Sequence, residues 1–477
     1  MATHLAARLV WHDRGWDGRI CNAPKDNGWC IRYEWVREAR DDQAEAQRCG
    51  KQVTQDVLPP CQHDTNAFAS KGKYAIQHRD PLYRRFLSPT SETIEPFSFV
   101  TAPFERMREE EGWIYDPEDQ EQLLAEFFSA LKAGTSLVFF YGMRGNPIDE
   151  ESDRVLFGVG RIADVGEQSY FGGVDEDGRR YPVWWRKITH AGDAEGVRLP
   201  YQEYLQADPT GEAAKRILCR IPPGARAEFS YVGEHVRDDT AISVLERLDQ
   251  SVAQVERDGI VKGPWKKARA WIQTTLAELW RERGAFPGIP AVLAFLGIDQ
   301  SEVVYRTVFR PLERQGKDPR ELLVGLLSGQ RQPPKALKLE FSAAAVEWND
   351  LRERTRDLLR LLIRFDLTNE QVRRVATPGK RREAGIDADE QAIIENPYLL
   401  VESDLGEDRS APIDFEAIDL GMLPDKDKLP LLAEPPIGRN DRRRVRALLV
   451  QTLRGAAEAG DTFLPLEEAL TRGGRTA

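Results

Sequence analysis

Four cysteines, Cys21, Cys30, Cys49 and Cys61, fall within the first 61 residues of a 477-residue chain, with His12, Asp13 and His63 close to them in sequence. Thiolates suit zinc and iron–sulfur clusters. A short segment with few apolar residues would gain from ligation the stability that its own core does not provide. Eight, eighteen and eleven residues separate successive thiols, which is wider than the tight pairs of zinc knuckles and ribbons. Long irregular loops are easier to reconcile with a four-cysteine iron–sulfur cluster. Zinc and a cluster therefore both stay open, beside the plainer alternative of four free, partly buried thiols. Cys219 stands apart from the group.

A second set of residues points to phosphate. Arginines crowd the stretch from Arg352 to Arg382, and "RRVATPGKRRE" places Arg373, Arg374, Lys380, Arg381 and Arg382 around a Pro-Gly turn. Guanidinium groups in a turn position a polynucleotide backbone without reading its sequence, so these five are the expected phosphate contacts. The plainer alternative is a solvated helix face, since many arginines have acidic neighbours. In "YPVWWRKI", Trp184 and Trp185 point to opposite sides of a strand, so one of them is placed to stack on a base beside Arg186 and Lys187, unless both are core.

Other patterns carry less. "GVGRIA", Gly158 to Ala163, fits a dinucleotide fingerprint by letter, but the fingerprint must open a helix and "RIADVGEQSYFGG" reads as strand and turn. The better reading of residues 134–167 is two strands joined by a long turn. Trp265, Trp271, Ile272, Leu276, Leu279 and Trp280 recur at helical spacing and form a packing stripe. No phosphate-binding loop, H-E-x-x-H, G-x-S-x-G or C-x-x-C occurs, so no complete catalytic motif is visible.

Composition sets the frame for these residues. Hydrophobic residues make up 41% and charged residues 30%, with a net charge of −11, ordinary values that identify no partner. No apolar run of about 18 residues is present, and "MATHLAARLVWHDRGW" lacks the apolar core of a secretory signal. A cytoplasmic protein with no membrane partner and no disulfides is expected.

The chain length exceeds one core, and an α+β multidomain architecture is predicted. Residues 1–78 read as the Cys-rich unit, opened by the strand-like "HLAARLVWH". Residues 79–235 read as a mixed α/β unit containing "SLVFFYG", "RVLFGVGRI", "YPVWWRKI" and "AEFSYVG" as strands. Strand signals then fade. Amphipathic helices follow over 236–340 and again over 341–425, where "AAAVEWNDLRERTRDLLRLLIRF" reads as one long helix. Residues 426–477 form a linker and a last helix, "NDRRRVRALLVQTLRGAAEAGDTFLP". Its stripe is predicted at Val445, Leu448, Leu449, Leu453 and Ala456, with Gly460 ending it.

Two resemblances rest on these segments. "LVFFY…GVGRI" resembles the paired strands of PUA-like and EVE-type barrels, which hold nucleic acid or modified bases. "AIIENPYLLVESD", "IDFEAIDLGMLP" and the last helix together resemble the N-terminal, pre-motor region of RecD-like ATP-dependent DNA helicases. Asn396, Pro397 and Tyr398 match that family's turn; Phe415, Ala417 and Asp419 match the next segment; Arg444, Leu448, Gly460, Phe463, Leu464 and Pro465 match the helix that leads into the ATPase motor. "IDFEAIDLG" lacks the paired glycines of a regular helix–hairpin–helix, so this hairpin is degenerate. The resemblance covers roughly residues 390–470 and implies DNA as partner, with ATP used only through a RecD-like motor absent from these residues, in cis or in trans. The expected activity is DNA gripping in repair or defence. Two rival readings are a metal-containing nuclease or base-processing accessory protein, and a protein-interaction scaffold that touches no nucleic acid.

Overall fold

The computed structural model describes residues 3–9, 50–51, 97–101, 107–109, 112–114, 125, 127–143, 148, 154–171, 183–230, 233–406, 411–424, 437–458 and 462–474. The strands are β1 (His4–Leu9), β2 (Phe97–Thr101), β3 (Met107–Glu109), β4 (Gly112–Ile114), β5 (Leu137–Met143), β6 (Arg154–Phe171), β7 (Val183–His190), β8 (Gly196–Arg198) and β9 (Gly233–Val236). The helices are α1 (Tyr201–Ala207), α2 (Glu212–Arg216), α3 (Asp238–Asp258), α4 (Trp265–Arg283), α5 (Ile289–Phe295), α6 (Ser301–Val304), α7 (Arg310–Arg314), α8 (Arg320–Leu327), α9 (Lys338–Asp350), α10 (Glu353–Leu362), α11 (Asn369–Ala376), α12 (Pro378–Glu383), α13 (Glu390–Glu395), α14 (Leu399–Ser403), α15 (Phe415–Met422), α16 (Arg442–Glu458) and α17 (Leu466–Gly474). The chain is thus α+β, with a mixed sheet and a mostly helical C-terminal half. No helix among the described residues is long and apolar enough to cross a membrane.

Two compact units divide the chain. One comprises Ala2–Ile221 with Arg226–Leu276, the other Pro222–Ala225 with Ala277–Ala477. The boundary expected after residue 235 does not separate them, because α3 belongs to the sheet unit.

The sheet runs in the order β2-β7-β6-β5-β1-β9, with β8 also paired to β6, and among the described residues only β1 and β5 are parallel. The expected hairpin is present: Leu137 to Met143 pairs antiparallel with Arg161 to Arg154. Leu137 to Tyr141 are all buried, which explains why "LVFFY" reads as a continuous apolar run rather than an alternating one. β6 continues to Phe171, pairing β5 and β8 with its first half and β7 with its second. "GVGRIA" therefore opens no helix. Gly160 instead makes room for a side chain. A Cβ there would lie 1.7 Å from Nε2 of His190, so only glycine admits the imidazole across the β6–β7 pair.

A buried clasp closes this unit. Leu137 N–H donates to Nδ1 of His4 at 3.0 Å, which leaves the proton on Nε2 to reach Asp238 Oδ1 at 3.1 Å. Both side chains are fully buried. The pair ties β1 and β5 to the first turn of α3, where acidic residues favour the helix dipole; Gly259, at φ 62°, ends that helix in the left-handed region. "AEFSYVG" departs from expectation: Pro223–Phe229 forms 3₁₀ turns and the strand begins only at Gly233, since Pro and Gly at its start favour a turn.

In the helical half, the predicted stripe of α4 is buried at Trp265, Ile272, Leu276, Leu279 and Trp280. The long helix predicted from "AAAVEWNDLRERTRDLLRLLIRF" is two helices, α9 and α10. Leu351 and Arg352 are extended, with ψ of 145° and 149°, following Asn349 and Asp350, whose short polar side chains compete for backbone groups.

Candidate nucleic-acid interface

The "RRVATPGKRRE" segment is a helix–turn–helix rather than the expected phosphate-binding loop. Thr368 caps α11 by a capping box: its hydroxyl accepts from Gln371 N–H at 3.2 Å, and the Gln371 side chain accepts from Thr368 N–H at 2.9 Å. Thr377 alone turns the chain, at ψ 113°, and Pro378 opens α12 at its first turn, where a missing N–H costs nothing.

That geometry splits the five expected phosphate contacts. Arg373 is solvent-facing and pairs with Glu370 one turn away at 3.0 Å, both about half exposed. Arg382 is exposed and Lys380 half-buried. Arg374 and Arg381 are corrections. Arg374 is wholly buried, bonded at 2.6 Å to the equally buried Asp404 and at 3.0 Å to the Ala411 carbonyl. Asp404 also accepts from Ile413 N–H at 2.8 Å and Gly406 N–H at 3.1 Å. Arg381, 3% exposed, bonds Glu390 at 3.1 Å and the Ala388 carbonyl. Despite its burial, which raises it, Glu390 is held below the usual carboxylate range by its bonds to Arg381 and Arg352. Arg374 cannot meet a phosphate without leaving the buried Asp404 carboxylate without its cation, and Arg381 would give up Glu390, which also holds Arg352 at 2.7 Å; both hold the helices together.

The three segments that carry the helicase resemblance meet in one cluster. Tyr398 of the Asn-Pro-Tyr turn donates its hydroxyl to Asp419 of α15 at 2.5 Å. Arg444 of α16 grips both oxygens of the same carboxylate at 2.7 and 2.8 Å and lies 5.4 Å over the ring of Phe415. Tyr398 and Phe415 have ring centroids 5.8 Å apart. Further along α16, Arg454 donates to the carbonyls of Val401 and Glu402 at 2.8 and 2.6 Å, capping the C-terminal end of α14. These polar partners turn α16 away from its predicted stripe. Leu448 and Ala456 are buried, but Val445 and Leu453 are 40% and 48% exposed, and Arg444, Ala447, Gln451 and Thr452 take the inner face. Gly460 lies outside the described residues.

Other expectations fall partly or wholly outside what is described. Cys21, Cys30, Cys49 and Cys61 do so entirely. Cys219 is buried, and burial pushes its thiol up to about 12, the state of an inert core cysteine. The backbones of Trp184, Arg186 and Lys187 lie in β7, opposite Tyr170, Gln168 and Val100 respectively; their side chains are outside the described structure.

One feature had no signal in the sequence. Between α5, α8, α9 and α10 lies a cavity of about 160 Å³, with Val292, Leu323, Val324, Leu359 and Ile363 as aliphatic lining, Trp348 as a wall, and Arg320 and Arg360 beside them. Arg320 stands 5.0 Å over Phe286, and Arg360 stands 5.5 Å over Trp348. Four separate helices supply the lining, so no local spacing announces it.

The chain is similar to a protein of Methanocaldococcus jannaschii described as uncharacterized. The two are 22% identical over 505 aligned positions, which take in 98% of this chain and 38% of that relative. The chain thus spans about two fifths of the length of the curated relative it matches. No family model matches the chain, and no solved structure matches it.

Proposed function

We propose that this chain is the DNA-gripping, pre-motor region of a RecD-like ATP-dependent DNA helicase, and that the ATPase motor lies outside these residues, in the same polypeptide or in a partner. The reading is carried by the cluster of Tyr398, Phe415, Asp419 and Arg444. Residues matched to that family one by one, over a span of almost fifty positions, share a single buried ion pair and a tilted ring contact. A chance likeness of three separate segments gives no reason for their matched residues to touch. The greater length of the archaeal relative leaves room for a motor beyond the region that aligns.

In this role the helical half binds and does no chemistry. Exposed Arg373 and Arg382 and half-buried Lys380 lie on two consecutive helices and contact phosphates; Arg374 and Arg381 fix the helices that present them. In the sheet unit, the β5–β6 pair and the long β6 serve as a PUA-like framework that presents β7, with Trp184, Arg186 and Lys187, to a strand of DNA. The four N-terminal cysteines hold zinc or an iron–sulfur cluster that stabilises their segment.

The test is a titration of a labelled single-stranded oligonucleotide, read by fluorescence anisotropy. The triple variant Arg373→Glu, Lys380→Glu, Arg382→Glu is expected to weaken binding about a hundredfold at low salt, because several phosphate contacts are lost together. Affinity equal to that of the unchanged protein would reject the assignment.

A further inference from the structure

The cavity between α5, α8, α9 and α10 has no part in the interface above, and its lining is unusual for a packing defect. A cavity of about 150 Å³ walled by aliphatic and aromatic side chains stays dry and accepts a benzene-sized ring. This one, at about 160 Å³, is the same size and has the same kind of wall. Its floor is well ordered by burial: Val292, Leu323, Leu359 and Ile363 are each 3% exposed or less, as is Trp348. It differs from a plain void in its two guanidiniums. Arg320 and Arg360 line it while keeping 46% and 43% of their side chains in solvent, so they stand where the cavity meets water.

Both cations have local partners, Asp318 for Arg320 and Asp357 for Arg360, each at 2.5 Å. These are pairs within three residues on open surface, screened by water. An arriving phosphate, which accepts two parallel bonds from a guanidinium, competes well with them. The side chains that line the cavity include hydrogen-bond donors in the two arginines and no carboxylate. An occupant that fits combines one apolar-faced ring of about benzene size with an anionic group within one side chain's reach of that ring, where Arg320 and Arg360 stand.

From this geometry we infer that the cavity receives a single unstacked pyrimidine base of a DNA strand, with the neighbouring phosphates held by Arg320 and Arg360. The inference rests on the reading of the chain as a DNA-handling module and adds to it a definite seat. Apolar walls favour a base without demanding one sequence, since every base offers two apolar faces, and size then favours thymine and cytosine over the purines. A base lodged between helices also gives the module a grip that does not depend on salt, unlike the phosphate contacts of Arg373, Lys380 and Arg382. The same helices connect the two surfaces: α5, which supplies Val292, packs against α11, which carries Arg373.

The experiment uses the whole chain and five probes in equilibrium dialysis: thymidine 5′-monophosphate, deoxyadenosine 5′-monophosphate, an eight-residue oligothymidylate, the same oligomer with its bases removed, and an acidic peptide containing phenylalanine. Two variants accompany them. Val324→Trp fills the cavity from a half-buried position, and Arg320→Ala with Arg360→Ala removes the two partly exposed cations at its mouth. The expected result is that oligothymidylate binds about tenfold more tightly than the abasic strand. Val324→Trp abolishes that difference, both variants weaken the mononucleotide about tenfold or more, and deoxyadenosine monophosphate binds less well than the thymidine form. If the oligomer binds but neither the bases nor Val324→Trp changes its affinity, the cavity is not a base seat, and the DNA-gripping reading stands without it. If no oligomer binds even at low salt, that reading fails and the inference falls with it. Tighter occupation of the cavity by an acidic peptide containing phenylalanine than by the nucleotide would also overturn the inference, and would make the site a protein-docking one.

Discussion

Burial separates arginines that look alike in the sequence. Arg373 and Arg374 are neighbours, yet one sits on open surface beside Glu370 and the other is sealed against Asp404. Removing one member of a buried pair leaves a charge without water or partner and costs about 3–5 kcal/mol, whereas an exposed pair contributes about 0–1 kcal/mol. Arg374→Ala is therefore expected to lower the denaturation midpoint sharply, and Arg373→Ala to leave it almost unmoved; urea titration followed by circular dichroism reads both. The histidines of the sheet unit make a pH prediction. His190 accepts from Gly192 N–H at 2.8 Å through Nδ1, and burial, helped by the charge of Arg198, lowers it to about 3. His235 is lowered in the same direction by burial, which outweighs its bond to the Phe127 carbonyl. Both groups are neutral in the fold and take up protons more readily when unfolded. Their stabilisation is complete above an unfolded value of about 6.5 and is lost as the pH falls from there towards 3. The thermal midpoint should decline between pH 7 and pH 5, before most carboxylates titrate, and His190→Asn with His235→Asn should flatten that decline. A wild-type midpoint constant over this range would show that the two rings are not held neutral.

At the scale of elements, period was legible and interruption was not. The β5–β6 hairpin, the long helices and the absence of a helix after "GVG" follow from spacing alone, because alternation and the 3.6-residue repeat are local properties. The break between α9 and α10, the 3₁₀ turns at Pro223–Phe229 and the helix within "PGKRRE" depend on a few residues each, where one proline or one Asn-Asp pair decides the backbone. The rotation of α16 has a different cause. Its apolar letters predict Val445 and Leu453 inside, but the carboxylate of Asp419 and the bonding of Gln451 to Phe415 N–H and Glu416 draw the polar face inward. Those partners lie 25 to 36 residues away, beyond the reach of any repeat. The same distance hid the buried role of Arg374, whose partner Asp404 lies 30 residues on, and the cavity, whose walls come from four helices; Arg381 meets Glu390 and Ala388 within nine residues, across a helix end that no repeat announces. Candidate sites were thus legible as residue types and not as surfaces.

For the chain as a whole, the net charge of −11 opposes a polyanion at long range, so the proposed DNA binding has to come from a local arrangement of cations. On that reading five supply it: Arg373, Lys380 and Arg382 on α11 and α12, and Arg320 and Arg360 at the cavity. Each phosphate neutralised releases counterions, and for single strands the slope of log affinity against log salt is about −0.7 per contact. Five contacts give a slope of about −3.5. The triple reversal on α11 and α12 removes three contacts and should bring the slope to about −1.4, with the base seat sustaining a residue of binding at high salt. A long-range acidic field adds only a term that fades beyond the Debye length, about 8 Å at physiological salt, so it lowers the encounter rate more than the final slope. Anisotropy titrations of the eight-residue oligothymidylate across the salt range measure this directly. A slope near zero would mean that the basic residues serve the protein's own ion pairs and that the polynucleotide is held, if at all, by something other than its phosphates.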